Sequence, residues 1–152
     1  MGKESGGASV RTMEDVIEQH HVFYEVQPHF LVVEERQGAT VATRRIQAGF
    51  DVDVVGIKTT PEQKPGPDYL LAYEALRNLV WTISPEILES CSVEVIPFGS
   101  TVIIDTTRSF QQQGMLRIRI THQGSNEPAG PPEERALKEV RERLHNLGLR
   151  QK

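Results

Sequence analysis

Cysteine is almost absent. Cys91 is the only one among 152 residues, so no internal disulfide can form and no cysteine-based zinc pattern exists. A lone thiol fits a reducing compartment, and the cytoplasm is the expected location. Long apolar runs are also missing. None approaches the ~18 residues a membrane helix needs, and no basic segment followed by an apolar core opens the chain. The expectation is a soluble protein with no membrane partner. Positive charge is not in excess either: 17 Lys and Arg face 21 Asp and Glu, a net −4. Residues 1–60 and 61–130 each carry −3, and residues 131–152 carry +2. Duplex-binding domains usually show a basic excess, so nucleic acid is an unfavoured partner. Finally, the 12 glycines form neither a P-loop nor a GxGxxG pattern, and there is no GxSxG or HExxH. Standard nucleotide sites, serine-hydrolase elbows and zincin sites are thereby disfavoured, and neither cofactor nor metal is expected.

What is present is strong period-two and helical patterning. Residues 1–11 are rich in Gly and Ser without periodicity and read as a flexible N-terminal tail, leaving 12–150 as a single domain. Thr12 with Asp15 forms a capping-box pair ahead of a short helix from about Met13 to His20. Four strand-like runs follow, at Phe23–Val26, Phe30–Glu35, Thr40–Ile46 and Phe50–Ile57. Pro28, Gln37-Gly38 and Ala48-Gly49 punctuate them as turns would. A Pro-rich loop at 59–67 leads to a helix capped by Asp68. Its stripe is Tyr69, Ala72, Tyr73, Leu76, Val80 and Ile83, widened by Leu70, Leu71, Leu79 and Trp81. Ser84-Pro85 opens a short helical turn. Strands are then expected at Ser92–Phe98, Thr101–Thr106 and Met115–His122. A last helix, Glu133–Leu147, ends at Gly148-Leu149 in a Schellman pattern.

The order α-ββββ-α-βββ-α does not alternate strand with helix, which argues against a doubly wound parallel sheet. It predicts an α+β two-layer sandwich, a mostly antiparallel sheet with helices on one face.

Candidate chemistry rests on few residues. Asp51 and Asp53 lie two apart on one strand and so share a face, where a carboxylate pair can do acid–base work or hold a hard cation. The same Asp-x-Asp alternation is what the wet face of a half-buried strand produces, and that reading is preferred. Arg117 and Arg119 share a face in the same way. With Arg44 from a neighbouring strand they would form an anion-binding patch, unless they pair with acids across the sheet. Cys91 has no adjacent His to activate it and reads as a small buried residue. Phe110, in the polar loop 107–114, is a candidate recognition tip.

The leading expectation is a small binding or assembly domain without chemistry of its own. An enzyme acting on an anionic substrate is the alternative. A single-stranded nucleic-acid binder stacking bases on Tyr24 or Phe110 comes third. A homodimer is expected, through open sheet edges or the stripe of Leu137, Val140, Leu144 and Leu147.

Overall fold

A computed structural model describes residues 10–59, 66–104, 110–123 and 127–152, leaving aside the side chains of 59, 98–104 and 110–113. The chain runs α1 (Met13–His20), β1 (Phe23–Gln37), β2 (Thr40–Thr59), α2 (Pro67–Trp81), α3 (Pro85–Ser90), β3 (Cys91–Ile104), β4 (Phe110–His122) and α4 (Pro131–Leu147). The four strands form one antiparallel sheet in the order β1-β2-β4-β3. The fold is α+β, with the helices gathered on one face. Met13 and Val16 of α1, Tyr69, Ala72, Leu76 and Leu79 of α2, and Ala136, Val140 and Leu144 of α4 share one core with Val52, Val54, Leu116, Ile118 and Ile120.

The strands are fewer and longer than the seven expected, because three of the presumed breaks do not interrupt the ladder. Pro28 sits inside β1, which is an outer strand and has room for a residue lacking an N–H. Ala48-Gly49 makes a bulge rather than a turn: the register passes from His29 opposite Gly49 to Phe30 opposite Gln47, leaving Ala48 extra. Glycine is required there, since a Cβ on Gly49 would lie 1.7 Å from the carbonyl oxygen of Ile120. The third presumed break, after Phe98, is a register irregularity within β3. Only Gly38-Ala39 turns the chain between β1 and β2. Gly38 has φ 66° and Ala39 does not share that sign, as a two-residue type II′ connection demands.

Helix ends mostly follow the sequence. Asp15 N–H donates to Thr12 Oγ1 and Thr12 N–H to Asp15 Oδ2, closing the capping box at 3.2 and 2.8 Å. Gly148 is left-handed at φ 103°, and Leu149 N–H donates to Leu144 C=O at 3.0 Å while its side chain enters the core. The start of α2 differs: Gly66 is the cap and Asp68 lies in the first turn. There Asp68 accepts from Arg11 and His20 instead. Arg11, taken as the end of the tail, is thus held against the body. Residues 1–9 and 60–65 lie outside the described residues.

Helix α4 lays its stripe on its own sheet. Val140 and Leu144 are fully buried within the chain, so they are not available as a helix–helix seam between copies. No helix among the described residues is long and apolar enough to cross a membrane.

Candidate functional site

The four sequence-singled residues Asp51, Asp53, Arg117 and Arg119 meet on the sheet face opposite the helices. Register puts Asp51 beside Arg119 and Asp53 beside Arg117. Strand alternation then drives Val52, Val54, Ile118 and Ile120 to the core and the charged residues away from it. Arg117 grips Asp53 with Nε at 2.7 Å and Nη2 at 3.1 Å. Arg119 grips Asp51 with Nε at 2.9 Å and Nη2 at 3.4 Å. Arg117 Nη1 also approaches Asp51 Oδ2 at 3.5 Å, His29 Nδ1 lies 3.4 Å from the same oxygen, and Gln27 donates to Asp53 Oδ2 at 3.0 Å.

This is not the wet face that the Asp-x-Asp alternation suggests: both carboxylates are buried under their arginines, and Arg119 keeps 28% of its side chain exposed. Only 2% of the Asp53 side chain and 16% of Arg117 remain exposed. Hydrogen bonding to Asp53 raises the Arg117 pKa above its ordinary value, against the desolvation that lowers it. Each carboxylate oxygen accepts at least one hydrogen bond from the arginine beside it. The geometry neutralises charge across strands.

Arg44 does not join the patch. It lies on β2 nine positions from Asp53, about 30 Å along an extended strand, and pairs with Glu35 at 2.8 Å in solvent. Tyr24 is no stacking platform: it is completely buried, with its hydroxyl 2.6 Å from His145 Nε2. Phe110 opens β4, but its side chain and residues 105–109 lie outside the described residues.

Cys91 is buried and its thiol donates to Glu133 Oε2 at 3.1 Å. Desolvation first, and the Glu133 carboxylate second, push the thiol pKa up to about 12. A reactive thiolate needs the opposite environment. Glu133 is itself fully buried. Its Oε1 accepts Gly130 N–H at 2.6 Å, and its Oε2 lies 3.6 Å from His122 Nδ1. Sequence reasoning missed this carboxylate. Its signal was the N3 position of α4, where an acid reaches back to the cap. Among the described residues no three His, Cys, Asp or Glu side chains gather as a metal ion needs.

The feature with most unsatisfied surface was not foreseen. β4 pairs with β2 only from Gly49 onward, so the eight pairs from Phe30–Gln47 to Gln37–Thr40 form a two-stranded arm about 25 Å long. Its base is held by Ala129 N–H donating to Gln47 C=O at 2.8 Å. On one face Phe30, Val32 and Val41 are 40%, 69% and 51% exposed. By register Glu34, Arg36 and Arg45 share that face, with the Arg45 guanidinium 3.9 Å from the centre of the Phe30 ring. Alternation identified these strands but could not say that no other described residue covers their end.

Compared with known proteins, the chain matches no family model, no curated protein and no solved structure. The functional reading therefore rests on this geometry.

Proposed function

We propose that this chain is an assembly module that pairs with a second copy of itself through the β1–β2 arm. The observation that carries the reading is the exposed Phe30–Val32–Val41 face on a ribbon with a single pair of strands. Two-stranded ribbons are marginal in water, and the exposed apolar side chains of Phe30, Val32 and Val41 add to the cost. A partner surface removes both penalties. The face also suits a two-fold contact, which must be complementary to itself. It interleaves apolar residues with both signs of charge, so Glu34 of one copy can meet Arg36 or Arg45 of the other. Further support comes from the groups first suspected of chemistry: Asp51 and Asp53 are both engaged by intramolecular partners, and the Cys91 thiol is held by Glu133.

Sedimentation equilibrium tests the reading. The wild-type chain is expected at twice its 17.1 kDa mass at micromolar concentration. Val32→Glu combined with Val41→Glu is expected to give a folded monomer with an unchanged far-UV spectrum. A wild-type monomer across a wide concentration range, or a dimer that survives both substitutions, overturns it.

A further inference from the structure

A second surface, separate from the arm, lies on the other side of the sheet, where β3 is the outer strand. Gln123 N–H donates to Ser90 C=O at 3.3 Å, and Cys91 stands opposite His122. Together these set the phase of the ladder. Ser92, Glu94 and Ile96 bond to β4, while the backbone groups of Cys91, Val93, Val95 and Pro97 point outward. The outward run is bounded at both ends. The Cys91 N–H is already spent on Ile87 C=O at the end of α3, and Pro97 has no N–H. Val93 and Val95 are left, with no outward backbone partner among the described residues.

Trp81 stands beside this edge. It closes α2, is 77% exposed, and with Arg77, Val80, Val93 and Val95 lines a hollow of about 170 Å³. A large aromatic left in water next to an open strand is the arrangement that anchors an added strand. Charge selects what is added. Glu94, between the two valines, faces the opposite side of the strand, and Arg119 across from it is engaged by Asp51. Glu94, with Glu86 and Glu89 on α3, is exposed and has no ion-pair partner among the described residues.

We propose that the Val93–Val95 edge, with Trp81 as anchor, takes up an extended peptide segment of a partner protein with the pattern apolar–basic–apolar. The two apolar side chains lie opposite Val93 and Val95, over the Trp81 hollow. The basic one lies opposite Glu94. A second copy of this chain is the poorer occupant. Two-fold antiparallel pairing that engages both outward valines of each copy sets Glu94 directly against the same residue of the other copy, and like charges in opposition repel.

Trp81 is the only tryptophan, so its emission reports the site directly. The probe is a short synthetic peptide alternating lysine with valine, titrated into the full chain. A saturable blue shift of Trp81 emission is expected. The backbone-N-methylated peptide and one alternating glutamate with valine are expected to give none. Glu94→Lys, an exposed substitution that leaves the core alone, is expected to weaken the lysine peptide by roughly fivefold or more and to admit the glutamate peptide. Trp81→Ala, followed by anisotropy of a labelled peptide, is expected to lose affinity while the fold stays intact by circular dichroism. Equal shifts with acidic and basic peptides, or no shift with either, overturn the proposal. So does emission that moves with protein concentration alone, which would put a second copy on this edge. Val32→Glu with Val41→Glu is expected to leave the peptide response unchanged, so failure of the arm dimer and failure of this site are read apart.

Discussion

β1 and β2 each pass through two environments. In the lower part of the sheet β4 pairs with β2 and helices roof both strands, and Tyr24, Val52 and Val54 are wholly buried. A few residues further on they form the arm, where Val32 and Val41 stand in water. The alternation is of the same kind in both places, and so is the hydrogen-bond ladder. What differs is whether a third strand and a second layer are present. Charge pairs follow the same division. Asp53 and Arg117 in the lower sheet are almost dry, whereas Glu35 and Arg44 on the arm are about half exposed. A strand pattern thus specifies two faces, and tertiary packing decides what each face meets.

The strongest way to break this contrast is through the core. Ile118→Ala or Leu76→Ala is expected to destabilise the chain by about 2–5 kcal/mol in urea denaturation. Both side chains are fully buried. A loss of no more than about 0.5 kcal/mol would mean that the roofed face is not where the core lies.

The two charge pairs give a sharper comparison. Asp53→Ala leaves Arg117 with only part of its counter-charge in a poorly hydrated place, and a cost of about 2–4 kcal/mol is expected. Glu35→Ala on the arm is expected to cost no more than about 0.5 kcal/mol, because exposed pairs are screened and mobile. Similar costs at the two positions would erase the distinction between lower sheet and arm.

Alkaline titration probes the buried side alone. The Cys91 pKa is raised in the folded chain to about 12, whereas the unfolded thiol titrates near its ordinary value of 9. The unfolded state therefore loses its proton first. Stability from this group is complete below about pH 9 and is lost as pH rises toward 12. Cys91→Ala is expected to flatten that slope, and the folded wild-type thiol is expected to resist Ellman's reagent at pH 8. Rapid labelling of the native chain would show an open thiol.

The smallest effect lies at the acid end. Hydrogen bonding from Arg11, and then from His20, lowers the Asp68 pKa. Its contribution is present above the ordinary carboxylate range and is lost as pH falls through the depressed value. Partial exposure limits the size to about 1 kcal/mol or less. Asp68→Asn is expected to remove this part of the acid-side decline in melting temperature and to leave neutral-pH oligomeric state unchanged.

Local signals in the chain were sufficient for several elements. The α+β class, the Thr12 capping box, the Gly148-Leu149 helix end and the burial of Leu76 all depend on neighbours within a few residues, and periodicity records such neighbours. Pairing of Asp51 and Asp53 with arginines was also open to reading, because an i,i+2 acid pair and an i,i+2 arginine pair on strands need only the right register. Strand breaks were overread. Pro28 and Ala48-Gly49 carry turn-like residues, yet an outer strand tolerates the one and a bulge beside Ile120 requires the other.

The sequence by itself determined which side chains share a face and most of the helix ends, since both follow from backbone geometry and short-range hydrogen bonds. Only the tertiary structure decided which faces are covered. It sent Trp81 outward although it belongs to an apolar helix, buried Glu133 beside Cys91, set Arg44 far from Arg117, and gave the arm of β1 and β2 no third strand among the described residues. The physical reason is that coverage depends on residues distant in the chain, and no local period encodes which of them arrive.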